Sequence, residues 1–134
     1  MVWGAPRPWP PGPHTPPRVP IARQYAVNAL GLTTAWAALA PRARAGGASA
    51  VVVSPDTVRA VGAGNGAYTA SNAALEAPAL TLAKEEAGHG VRVNVVAPSL
   101  VVSPQAGEIL ALKGVTDVEA YYAGLPAGRA LTVE

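Results

Sequence analysis

The apolar positions of this chain change their period several times, and each change marks an element. From Ile21 to Ala45, Tyr25, Leu32, Trp36 and Leu39 fall on or near one helical face, with alanine filling the rest. That spacing predicts a helix over residues 22–44, its end kinked by Pro41 and stopped by Gly46 and Gly47. Within it, Gly31 permits close approach to a neighbouring backbone. Ala48 to Ser54 is a short β-branched run without alternation, as in a parallel strand buried on both faces. Pro55 and Asp56 end it, and Gly62, Gly64 and Gly66 mark a loop. A second long helix is predicted over residues 67–87, with Leu75, Leu80 and Leu82 as its bulk and Gly88 and Gly90 as its stop. Pro78, in its middle, removes a backbone donor and costs ~3 kcal/mol or a kink. Val91 to Ala97 reads as a second strand, interrupted by Asn94 and closed by Pro98. Two short helices follow, Glu108 to Lys113 and Asp117 to Ala123, the latter with Thr116 as N-cap. The last residues, from Leu125 to Glu134, trail off. Strand, long helix and strand in this order predict an α/β fold built on a parallel crossover. Ligands of such sheets lie beyond the carboxyl ends of the strands, here between Pro98 and Pro104.

Residues 1–23 carry a different pattern. Eight of the fourteen prolines fall at Pro6, Pro8, Pro10, Pro11, Pro13, Pro16, Pro17 and Pro20. Neither helix nor ladder propagates through such a segment, so a polyproline-like or disordered arm is expected. Pro8–Pro11 and Pro17–Pro20 each fit Pro-x-x-Pro, the form taken by ligands of aromatic-lined grooves and equally common in any proline-rich stretch.

Composition narrows the function classes. Charged residues make up 13% of the 134 and the net charge is +2, with no Lys/Arg cluster, so no nucleic-acid footprint is present. Half the residues are apolar, chiefly Ala, Val and Leu, with no Phe, which suits helices packed closely on a sheet and a surface covered by something else. Cysteine is absent, excluding disulfides and thiolate metal sites. His14 and His89 have no neighbouring ligand, so no metal site is expected. Asp56, Glu76 and Glu108 form no evident acid pair. No signal peptide or membrane span is read, and the cytoplasm is the default location.

At Asn28, Ser54, Tyr68 and the Val91–Ser103 segment the sequence resembles the short-chain dehydrogenase/reductase family. Val27-Asn28-x-x-Gly31 looks like that family's helix with its catalytic Asn. The strand ending at Ser54 looks like the one that delivers the catalytic Ser, and Tyr68 looks like the catalytic Tyr. Arg92 to Pro98 is similar to the strand before the nicotinamide loop. The resemblance implies a partial Rossmann-like doubly wound parallel sheet, the second half of the family fold, over residues 24–134. It implies hydride exchange between NAD or NADP and an alcohol or carbonyl substrate, with the cofactor contacted by Pro98, Ser99, Val101 and Ser103. Tyr68 would be the general acid/base, Ser54 the hydroxyl on the carbonyl oxygen, and Asn28 the holder of a relay water. Tyr121 and Tyr122 fall where the resemblance puts substrate-binding helices.

The sequence departs from the family's pattern. Asn72 stands where the family's Tyr-x-x-x-Lys has its lysine. A phenol titrates near ~10 and needs a cation to ionise near neutrality, which an amide cannot supply. Ser54 lies one residue farther from Tyr68 than the family's spacing, and Pro55 occupies that spacing. The family's Pro-Gly turn is Pro98-Ser99, and its nicotinamide-binding Thr is Ser103. Nothing before Gln24 resembles the glycine-rich strand, turn and helix that clasp the pyrophosphate. These departures predict an impaired or inactive oxidoreductase. A non-catalytic interaction or oligomerisation module is the alternative, self-associating through the helices over 22–44 and 67–87, which the resemblance puts at a subunit interface. A sheet strand left without its inner neighbour also predicts marginal stability or association.

Overall fold

The computed structural model describes residues 21–62 and 65–133. The Pro-x-x-Pro motifs and His14 lie outside them. Of the arm expected over 1–23, the described part, Ile21–Arg23, is already helical. Helix α1 (Ile21–Tyr25) continues through a π-helical turn (Ala26–Leu30) into helix α2 (Gly31–Gly46). Tyr25, Leu30 and Gly31 keep right-handed helical angles at the junctions, so the three segments form one rod with a widened turn. Gly31 is not needed for a close approach, since a Cβ there would meet only the Ala26 carbonyl at 3.6 Å. Pro41 lies inside α2 and ends nothing. Gly47 then reverses the chain in a conformation (φ 69, ψ 152) that glycine alone adopts readily.

Strand β1 (Ala48–Val53) pairs in parallel with β2 (Val91–Val96), from Ala48 opposite Val91 to Val53 opposite Val96. Helix α3 (Gly66–Glu85) makes the crossover and runs through Pro78 without a break. The ladder extends past the strands. Ser54 N–H donates to the Val96 carbonyl at 2.9 Å, and Asp56 N–H to that of Pro98 at 3.0 Å. Val52, Val91 and Val93 form the core with Ala79, which has no exposed surface, and Leu32, Trp36, Leu75 and Leu82 close around them. The small Ala79 side chain lets α3 lie close on the sheet.

Among the described residues the sheet is covered on one face, not both. Ser49, Val51 and Val53 alternate outward on β1, and the register sets Arg92, Asn94 and Val96 beside them on the same exposed face. α2 and α3 pack on the other face, so the β-branched run has an apolar side without a described partner.

The far ends of the two long helices are tied by charge. Glu86, 1% exposed, accepts from Arg44 Nε at 2.7 Å, from Arg44 Nη2 at 2.6 Å and from Trp36 Nε1 at 3.0 Å. The Arg44 hydrogen bonds, then that of Trp36, hold this carboxyl down at about 2.

Helix α4 (Pro104–Leu112) starts on Ser103, whose Oγ accepts from Ala106 N–H at 3.1 Å, with Pro104 in the first turn where its missing donor costs nothing. Ala106 and Leu110 are its buried side. Helix α5 (Val118–Ala123) is capped by Asp117, not Thr116, because Asp117 Oδ1 is placed to accept from Ala120 N–H at 2.9 Å. The tail does not simply trail off. Leu131 pairs beside Val101, donating to the Leu100 carbonyl and accepting from Val102 N–H, both at 2.8 Å.

Candidate functional site

Tyr68 sits in the first turn of α3 with 47% of its surface exposed. Its backbone carbonyl accepts two side-chain bonds, from Ser71 Oγ and from Asn72 Nδ2, each at 2.9 Å. Ser71 and Asn72 are buried, and Asn28 reaches them from the π turn, its Nδ2 donating to Ser71 Oγ at 3.2 Å. The widened turn gives Asn28 its reach, since a π segment re-aims side chains that a regular helix would hold in line. Asn28 is thus joined to Tyr68 through Ser71, and Asn72 through the Tyr68 carbonyl itself. Sequence reasoning passed over Ser71. Its signal was its place three residues after Tyr68, on the side of the helix that Asn72 shares.

No cation accompanies Tyr68 among the described residues. Burial pushes its phenol above the ordinary tyrosine value, and the Asp56 carboxylate pushes it the same way. Asn72 is engaged with the Tyr68 carbonyl and carries no charge.

Ser54 ends β1 with no accessible surface. Its Oγ makes no hydrogen bond within geometric limits, yet lies close enough to the Glu76 carboxylate to help hold it ionised. Glu76 is bound chiefly by Arg59, Nη1 to Oε1 at 3.1 Å and Nη2 to Oε2 at 2.9 Å, which keeps its carboxyl below the usual range. Pro55, at the family's spacing from Tyr68, is half-buried.

Pro98, Ser99, Val101 and Ser103 occupy the connection from β2 to α4, at the carboxyl end of the sheet. Each has a structural duty or none described. Pro98 accepts from Asp56, Val101 bridges to Leu131, Ser103 caps α4, and Ser99 is half-buried. Asp56 links this connection to Tyr68, its N–H on Pro98 and its carboxylate acting on the phenol. Tyr121 and Tyr122 lie on α5. Among the described residues no group of three His, Cys, Asp or Glu could hold a metal ion, and no helix is long and apolar enough to cross a membrane.

A parallel strand–helix–strand unit that gathers amides, hydroxyls and a phenol at the carboxyl end of its sheet defines an α/β protein with a ligand end there. A family model described as enoyl-(acyl carrier protein) reductase matches residues 15–134. Among solved structures, a short chain dehydrogenase/reductase family protein is 30% identical with a TM-score of 0.71, over 84% of this chain and 44% of that one. A short-chain type dehydrogenase/reductase from Mycobacterium ulcerans is 23% identical at a TM-score of 0.72, over 85% of this chain and 41% of that one. L-sorbose reductase from Gluconobacter frateurii, complexed with NADPH and L-sorbose, shares the fold at 18% identity and a TM-score of 0.74, over 96% of this chain and 52% of that one. No curated protein matches the chain. The chain belongs to the short-chain dehydrogenase/reductase family, and spans about half the length of these relatives.

Proposed function

We propose that this chain is the substrate-side half of an NAD(P)-dependent short-chain oxidoreductase acting on an alcohol or carbonyl, with its acid/base group held protonated. One observation carries this reading. Tyr68 stands at the head of α3 with its positioning groups assembled around it and no cation to ionise it, Asn72 being neutral and turned to the Tyr68 carbonyl. Asn28 and Tyr68 are the groups that would meet the substrate and its relay water. Ser54, with no accessible surface, reaches a substrate only if the end of β1 opens.

Among the described residues, those that fit a dinucleotide lie at its nicotinamide end. Ser99 and the Ser103 hydroxyl are polar groups beside the expected nicotinamide position. The lysine that would hold the ribose is replaced by the buried, hydrogen-bonded Asn72. When bound, the dinucleotide supplies the hydride. The chain's own contribution is to position the carbonyl and to offer the Tyr68 proton, which a phenol held protonated gives up slowly; in the reverse direction it has no free base form to accept one.

Titration with NADPH and NADH, followed by nicotinamide fluorescence, and a carbonyl-reduction assay on the same chain test this. Weak binding and turnover far below the common enzymatic range of ~1–10³ s⁻¹ are expected. Turnover within that range overturns the impairment.

A second reading is a self-associating module. Leu39 and Leu80 are 57% and 53% exposed, and an open groove of about 380 Å³ runs between α2 and α3 past Thr33, Trp36 and Pro78. Sedimentation of the chain separates the two, since a monomer without dinucleotide binding supports neither.

A further inference from the structure

The turn after β1 is held in an unusual way. Asp56–Val58 forms one turn of 3₁₀-helix, with Arg59 and Ala60 donating their N–H groups to the Asp56 carbonyl at 2.8 and 2.9 Å. On one side Asp56 N–H fastens the turn to Pro98. On the other, the tie is the two-pronged contact of Arg59 with Glu76, two helical turns along α3 from Tyr68. The turn's own hydroxyl does not share that work, since Thr57 Oγ1 is buried without a partner. Glu76 is buried, with 8% of its side chain exposed, whereas the Arg59 side chain is 60% exposed. A buried carboxylate on a rigid helix is thus the fixed point, and the exposed arginine reaches in to it. An Arg fork on a carboxylate fixes orientation as well as distance, so the pair sets where the turn lies.

We propose that Glu76 is a positioning residue: through Arg59 it latches the Asp56–Val58 turn, and Asp56 with it, onto α3, the helix headed by Tyr68. The role in chemistry rests on Tyr68 being the acid/base position, as read above. The latch itself does not, because the Tyr68 phenol reports it with no cofactor or substrate present. On this assignment the orphaned Ser54 hydroxyl belongs to the latch, facing the Glu76 carboxylate from the end of β1. Two carboxylates therefore control the site without touching a ligand.

The test uses the sign of a titration shift. The chain is labelled with ¹³Cζ-tyrosine, the Tyr68 signal is assigned with Tyr68→Phe, and its midpoint is read by NMR. Asp56→Asn removes the carboxylate directly and lowers the midpoint. Arg59→Gln removes a positive charge, which by Coulomb's law alone raises a phenol's midpoint. The latch requires the opposite, because freeing the turn takes Asp56 away. Arg59→Gln is expected to lower the midpoint by about as much as Asp56→Asn, and the double variant to lower it no further than Asp56→Asn alone. A raised or unchanged midpoint in Arg59→Gln overturns the proposal, as does a double variant in which the two shifts add. Glu76→Gln repeats the measurement from the other partner. Since it alters the buried group it is the variant more prone to unfold, and Arg59→Gln, at an exposed position, keeps the test decisive.

Discussion

Replacing Asn72 by lysine tests the electrostatic argument at its centre. Asn72 lies one helical turn after Tyr68, so an ammonium there can approach the phenol to ~4 Å. Such a pair is worth ~4 kcal/mol at an effective dielectric of ~20 and ~1 kcal/mol in bulk water. Those limits correspond to a fall in the phenol midpoint of roughly three pH units and somewhat under one. Tyr68 is 47% exposed, which rules out the larger figure. Glu76, one turn farther along, competes for the new charge, although Arg59 already occupies it. A fall of about one pH unit is therefore expected in Asn72→Lys, and a deeper one when Asp56→Asn is added. The substitution also removes the hydrogen bond to the Tyr68 carbonyl, worth ~0.5–1.5 kcal/mol, while Ser71 still satisfies that carbonyl. A modest loss of stability should accompany the gain in acidity. The ¹³Cζ signal of Tyr68 reads the midpoint and urea unfolding reads the stability. A folded Asn72→Lys variant whose Tyr68 midpoint stays put or rises would refute the reasoning.

Three further perturbations follow from the packing. Glu86 has a folded-state value of about 2 against an ordinary 4.5, so its contribution to stability is present above 4.5 and lost as the pH falls towards 2; thermal melts should decline across that window, and Glu86→Gln should start lower at neutral pH and decline less. Leu110, 1% exposed on α4, should cost about 2–3 kcal/mol when cut to alanine, seen as a lower urea midpoint at unchanged slope. Gly90 has φ 71 with no atom within 4 Å of an added Cβ, so Gly90→Ala should cost about 1 kcal/mol or slightly more through backbone strain alone, whereas Gly88→Ala, with equal space and no such angle, should be neutral or mildly stabilising in the same unfolding assay.

The order of elements was legible because period and punctuation agreed. The Tyr25–Leu39 face, the valine run before Pro55 and the glycines after Ala87 each gave one unambiguous boundary. What escaped was whatever depended on geometry across the chain. The π turn at Asn28 leaves no mark on a helical period, since one widened turn shifts the pattern by a single position. Pro41 and Pro78 suggested a kink and a break, yet packing against the sheet carries both helices through. The lack of alternation in β1 implied two covered faces, and valine on an exposed face looks the same in sequence as valine in a core. At the site, Tyr68 and Asn72 were picked out by the resemblance to the family's Tyr-x-x-x-Lys. The pair between Arg59 and Glu76, seventeen residues apart, was not, because no local rule joins a loop arginine to a helix carboxylate.

On the proposed reading the site has neutral positioning groups and departs from the family's pattern in its charges. Asn28, Ser71 and Asn72 form a connected set of hydrogen bonds through the Tyr68 carbonyl at the head of α3, and the strand ends are tied through Asp56 and Pro98. The charges all act in one direction. Among the described residues no ammonium accompanies Tyr68, the Asp56 carboxylate acts on the phenol, and the arginine of the adjoining turn is spent on Glu76. Burial, the missing cation and the added anion each favour the protonated phenol. On the proposed reading the chain therefore holds a phenol that stays protonated to higher pH than an ordinary tyrosine and is free to donate a hydrogen bond. That property suits recognition of a carbonyl or alcohol oxygen better than proton transfer to it.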